Sequence, residues 1–250
     1  MFLVSTIFAA IAYIVMIVLN VLANTMPINQ IQTGEVSFKY PNLFQPTGIT
    51  FSIWGVIYLF LLIYIIQQFA FLFSTPSDQL KQTFIVINLL FALTSLLNGA
   101  WLLAWHFDKI FLSTLIMILL FVSLVFIVNH IPNNQILSKT AFSIYSGWIT
   151  IALIANITIW LVKLGMPYVS FGAVITTVFV LIIGVFIASL WIWVYKDYVY
   201  GAVIIWAYLG IFIRHVSKNE LHMQYPLVYV TSILSVFTLV FFVFFTFFKK

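Results

Sequence analysis

No cysteine occurs among the 250 residues of this sequence. That excludes disulfides, thiol nucleophiles, thiolate metal sites and iron–sulfur clusters. Charge is almost as scarce. Asp, Glu, Lys and Arg make up 6% of the chain, against about 25% in a soluble domain. Hydrophobic residues make up 64%, and no water-soluble core accommodates that excess. The charges fall between long apolar runs. The composition describes an all-α, polytopic transmembrane bundle in a lipid bilayer. The net charge of +5 is spread over the connections rather than clustered. It reads as a set of interfacial anchors, not as a nucleic-acid footprint.

About 20 apolar residues cross a bilayer. On that ruler the spans fall at 2–23, 49–73, 83–106, 110–131, 140–163, 170–195, 198–213 and 226–248. The run from Phe2 is too long for a signal-peptide core and lacks a basic leader, so it reads as a span. The run at 198–213 is short and carries Tyr198, Tyr200 and Tyr208, so it either spans or re-enters. Basic residues set no orientation. Lys81, Lys139, Lys196, Lys249 and Lys250 fall on one side. Lys39, Lys109, Lys163, Arg214 and Lys218 fall on the other.

Two connections stand out. Residues 24–48 are long for a bundle loop, and their prolines and apolar residues favour an ordered cap. Residues 214–225 hold Arg214, His215, Lys218, Glu220 and His222. They read as a solvated turn with snorkelling ends, since the histidine spacing does not suit a helical metal pair.

The stretch Pro41–Tyr58 joins the long connection to the second span. Pro41 and Pro46 stiffen the approach. Phe51, Trp54 and Tyr58 follow at a spacing that shares one helix face. The third span carries Thr94, Asn98, Trp101 and Trp105 on one stripe. The fifth carries Tyr145, Trp148, Ala152, Asn156 and Trp160. At 1.5 Å per residue, Trp54 lies about 8 Å, Asn98 about 12 Å, Trp101 about 7 Å and Asn156 about 10 Å from the side of the long connection. Trp148 lies deeper, at about 22 Å. A pocket under the connection and a plain packing seam fit these stripes equally well. Aromatic walls with a few amides suit a flat, largely apolar ligand.

Together these motifs resemble the translocator protein/tryptophan-rich sensory protein family (TspO/MBR). Pro41, Pro46, Trp54, Gly55, Ile57 and Tyr58 fit the family's loop and second helix, with Gln45 in place of a proline. Leu97, Asn98 and Trp101 fit the third helix. Tyr145, Trp148, Ala152, Asn156 and Trp160 fit the fifth. Trp105-His106 replaces a Phe-Phe pair, Thr94 a Gln, and Ile144 a Pro. The resemblance covers residues 1–163 and implies a five-helix TspO-like core, with residues 164–250 a C-terminal extension of about three helices.

The resemblance implies a hydrophobic ligand, a porphyrin or haem-type tetrapyrrole, under the first loop. Its site would comprise Pro41, Pro46, Phe51, Trp54, Tyr58, Asn98, Trp101, Tyr145, Trp148, Ala152 and Asn156. It further implies a homodimer, and the expected location is the cell membrane. A small-molecule transporter and a structural membrane partner remain as alternatives. No nucleophile–base pair, metal motif or carboxylate dyad lies within the spans. The only chemistry in view is photo-oxidation of a bound porphyrin, carried by the ligand itself.

Overall fold

In the computed structural model α1 (Phe2–Thr25) is followed by a 3-10 turn at Ile28–Gln30 and by α2 (Thr33–Phe38). A second 3-10 turn, Gly48–Ser52, runs into α3 (Ile53–Phe73). Then come α4 (Asp78–His106), α5 (Ile110–His130), α6 (Ile136–Lys163), α7 (Phe171–Tyr195), α8 (Tyr198–Val216) and α9 (Pro226–Phe248). The described residues are 1–26, 28–31, 33–74, 76–168 and 170–249. Pro27 and Gln32 of the long connection, and Lys250, lie outside them.

Among the described residues, 8 helices are long and apolar enough to cross a membrane. They match the expected spans one for one, and the chain is a polytopic integral membrane protein. The seventh span extends to 19 residues, Tyr198–Val216. Two helices start earlier than hydropathy suggests, because a polar first turn is helical without being apolar. α4 begins at Asp78, where the Ser77 hydroxyl accepts from the Leu80 N–H at 3.2 Å. Such a cap satisfies one of the free N–H groups at a helix start. α6 likewise begins at Ile136.

The helices sort into two packing units. One comprises Met1–Lys39 and Gly55–Ile149; the other comprises Tyr40–Trp54 and Thr150–Lys250. This division follows packing, whereas the boundary drawn at 163 follows motif coverage.

In the first unit α1 and α5 both pack on α4. Lipid is as apolar as the side chains, so close packing and buried hydrogen bonds hold helices together here. Gly99 gives α1 its approach: a Cβ there would lie 2.7 Å from Leu19 Cδ1. Tyr64, Phe91 and Phe142 form an aromatic knot, with edge-on centroid distances of 4.8 to 5.6 Å. The Tyr64 hydroxyl donates to Asn88 Oδ1 at 2.5 Å, and the Asn88 amide donates to the Ser5 and Thr6 hydroxyls.

In the second unit α7, α8 and α9 pack on one another. Gly184 of α7 leaves room for the Tyr208 hydroxyl, which donates to the Leu181 carbonyl at 2.8 Å. Asp197 starts α8 by accepting from the Tyr200 N–H at 3.0 Å. The Tyr200 hydroxyl lies 2.9 Å from that of Thr150 on α6.

Candidate functional site

The first unit joins three helices through one amide. Asn20 Nδ2 donates to Asn98 Oδ1 at 2.8 Å, and Asn98 Nδ2 donates to the Tyr145 hydroxyl at 3.1 Å. Asn98 and Tyr145 are completely buried. One turn along α4, Trp101 stacks on Trp105 with centroids 5.9 Å apart. Trp148, one turn beyond Tyr145 on α6, is also buried.

The end of α4 holds the first part of the long connection. Trp105 Nε1 donates to the Thr33 carbonyl at 3.1 Å. Asn29, at φ 56°, donates through its side chain to the His106 carbonyl at 3.1 Å. His106 Nδ1 lies 2.8 Å from the Leu102 carbonyl, so that nitrogen carries the proton in this contact. Its Nε2 is then free to accept from the Thr33 hydroxyl, at 3.3 Å.

The second unit holds the rest of the connection as a strap along α8. Asn42 Oδ1 accepts from the Phe44 and Gln45 N–H groups at 3.1 and 2.9 Å, which makes a tight turn of the segment. Arg214 Nη1 donates to the Asn42 and Gln45 carbonyls at 2.8 and 2.9 Å. His215 Nε2 donates to the Leu43 carbonyl at 2.9 Å. The Thr47 N–H donates to the Gly210 carbonyl at 3.1 Å, and Trp206 Nε1 to the Thr50 carbonyl at 3.0 Å. The Thr47 hydroxyl donates to Glu220 at 2.9 Å. Arg214, His215 and Trp206 thereby satisfy the carbonyls of Asn42, Leu43, Gln45 and Thr50.

A family model described as TSPO-like protein matches residues 6–245. The chain belongs to the TSPO-like family. The match runs through α7 and α8 and into α9, beyond the residues that carry the motif resemblance. No curated protein and no solved structure matches the chain.

Within this TSPO-like protein, the expected site residues fall in both units. Tyr58, Asn98, Trp101, Tyr145 and Trp148 belong to the first; Pro41, Pro46, Phe51, Trp54, Ala152 and Asn156 belong to the second. Asn98 and Tyr145 meet directly. Asn156 is buried at 2% exposure, and Pro46 is also buried. Pro41 is exposed, and Trp54, Tyr58 and Ala152 are half-buried. Phe51 sits in the 3-10 turn ahead of α3, three residues before Trp54, and is 41% exposed.

Arg214 and His215 depart from the expected solvated turn. They lie in the last turn of α8 and bond the strap backbone, with His215 fully buried. Sequence gives no direct sign of this, because the acceptors are main-chain carbonyls. The family departures have similar uses. Gln45 supplies an N–H that a proline lacks, and Trp105-His106 holds Asn29 and Thr33.

A cleft of about 40 Å³ lies between the strap and the facing ends of α6 and α7, lined by Leu43, Phe44, Thr158, Val162 and Thr177 among others. Ligand pockets usually measure about 300–1,000 Å³, so this cleft does not accommodate a tetrapyrrole as it stands. Among the described residues, no group of three or more His, Asp or Glu side chains is placed to hold a metal ion.

Proposed function

We propose that this TSPO-like membrane protein binds a flat, largely apolar ligand of the porphyrin class, in a sensory or translocator-like role at the cell membrane. Family membership and the buried aromatic–amide wall of the first unit support the reading. The observation that carries it is Asn98. Its amide spends one N–H on Tyr145 and one acceptor position on Asn20. An amide has a second of each, and Asn98 stands one turn along α4 from the Trp101–Trp105 stack. The tryptophan faces supply stacking surface, and the amide supplies an orienting hydrogen bond. The homodimer implied by the resemblance is part of the same proposal.

A second reading is a structural membrane partner without a ligand. The same Asn20–Asn98–Tyr145 chain favours it, because that chain already ties α1, α4 and α6 together. A titration separates the two. Purified, detergent-solubilised wild type and Asn98→Ala are titrated with protoporphyrin IX while Trp fluorescence is followed. Saturable quenching in wild type that weakens about fivefold in the variant, the worth of one hydrogen bond, supports the ligand reading. No saturable quenching, or equal affinity in the two proteins, removes the site and leaves the structural reading.

A further inference from the structure

At the other end of the second unit from the strap, two cations share one indole. Lys196 follows the last residue of α7 with a left-handed backbone, φ 51°. Its Nζ lies 5.1 Å from the centroid of the Trp193 ring. Lys249 follows the last residue of α9, and its Nζ also lies 5.1 Å from the Trp193 ring and 5.3 Å from the ring of Phe245. Both lysines are exposed. No salt bridge joins either lysine to a carboxylate among the described residues. The adjacent Asp197 is 4% exposed, and its oxygens accept from the Tyr200 N–H and Trp191 Nε1.

The indole explains the convergence. A tryptophan face attracts ammonium groups, and it gathers two like charges that otherwise separate. Positive charge at the C-terminal ends of α7 and α9 also complements the helix dipoles. Neither effect neutralises the pair. Two lysines held at one ring leave a concentrated positive site at the membrane boundary.

The surface leading away from that site is apolar. On α9, Phe245 and Phe241 lie four and eight residues before Lys249, so they continue its face. They stack at 6.1 Å and are 43% and 68% exposed. On α7, Leu190 and Phe186 run back from Trp193 and are 53% and 69% exposed. α7 and α9 pack against each other. A cationic head above an exposed apolar stripe matches an amphiphile with an anionic head and hydrocarbon tails.

We propose that Trp193, Lys196 and Lys249 form a binding site for the headgroup phosphate of an anionic phospholipid, whose acyl chains lie along the exposed faces of α7 and α9. A free phosphate makes no use of that stripe. Basic residues close to the membrane surface select anionic lipids by about fivefold each.

The test uses the full-length protein in phosphatidylcholine vesicles. Brominated phosphatidylglycerol and brominated phosphatidylcholine are compared as quenchers of Trp fluorescence. In wild type the glycerol lipid quenches a component at several-fold lower mole fraction than the choline lipid. Trp193→Phe removes that component. Lys196→Gln/Lys249→Gln removes the preference while quenching by phosphatidylcholine is unchanged, with helical circular dichroism as the folding control. If the double variant fails to fold, the single variants each lower the preference about fivefold. Equal quenching by the two lipids in wild type, or a preference that survives the lysine substitutions, overturns the proposal. So does loss of the preference on adding inorganic phosphate but not chloride at matched ionic strength, which assigns the site to a free anion.

Discussion

Arg214 Nη1 lies 2.9 Å from the carbonyl oxygen of Gln45, a contact that spans 169 residues of sequence. The same nitrogen reaches the Asn42 carbonyl at 2.8 Å. One guanidinium thus fixes both ends of the Asn42–Gln45 turn. Hydrogen bonds from a charged donor contribute about 1.5–3 kcal/mol each, and a buried acceptor left unpaired costs a similar amount.

Replacing Arg214 by Gln is therefore expected to loosen the strap by at least 2 kcal/mol on this order-of-magnitude scale. Hydrogen–deuterium exchange of the amides from Leu43 to Thr50 reads this directly. Faster exchange there, with the α4 amides unchanged, is the expected result. Unchanged exchange across the strap means that the arginine contacts carry no weight.

Gly210 and Thr50 make a tighter test. The strap donates to the Gly210 carbonyl through Thr47, and a Cβ at Gly210 would lie 2.9 Å from Thr50 Cγ2, with Thr50 Oγ1 closer still. Gly210→Ala is expected to lower stability by about 1–3 kcal/mol through overpacking. Adding Thr50→Ala removes the two closest atoms and leaves only the Thr50 Cβ, at 3.0 Å, so the double variant recovers most of the loss. Thermal unfolding in detergent measures both. A double variant no more stable than Gly210→Ala alone shows that Thr50 is not the obstacle.

Gln45→Pro restores the residue that the family resemblance expects, and is still expected to destabilise. Proline removes the N–H that donates to Asn42 Oδ1 at 2.9 Å. The predicted loss is about 1–3 kcal/mol, the cost of a broken buried hydrogen bond. Limited proteolysis between Tyr40 and Gly48 checks it, with faster cleavage in the variant as the expected outcome. Equal cleavage means the turn holds without that bond.

The spans were legible because hydropathy over a bilayer's length is a long-range, redundant signal; even the short run from Tyr198 has its helix. What hydropathy missed were the first turns of α4 and α6, where Asp78, Lys81, Ser138 and Lys139 interrupt the apolar run. The stripes on α4 and α6 were legible from helical spacing, and Asn98 does meet Tyr145. Phe51 lies in the 3-10 turn that precedes α3, a change of helix type that residue spacing does not announce. The ties from Arg214, His215 and Trp206 to the strap could not be read at all. They end on backbone carbonyls, which every residue possesses, so no residue type at positions 42 to 50 announces them. Their nearest sequence sign is the placement of Arg214 and His215 in the last turn of an otherwise apolar helix, where a cationic or polar tip also serves simple snorkelling.

Asn98 and Tyr145 yield the prediction that bears most on function. Tyr145→Phe deletes the hydroxyl that accepts from Asn98 Nδ2 and leaves the ring in place. Interhelical hydrogen bonds of this kind in membranes contribute about 0.6 kcal/mol on average and up to about 1.7. Tyr145→Phe and Asn98→Ala are each expected to lower unfolding stability within that range or slightly above it. Because the two groups share a bond, the double variant should lose less than the sum of the two. The coupling is measured by a double-mutant cycle in mixed micelles. Repeating the cycle with protoporphyrin IX present adds the functional arm. If the ligand uses the remaining N–H of Asn98, it stabilises wild type and Tyr145→Phe more than Asn98→Ala, because binding to the folded state raises its stability in proportion to affinity. If the ligand raises all the proteins equally, Asn98 acts only between helices, and the amide has no part in recognition.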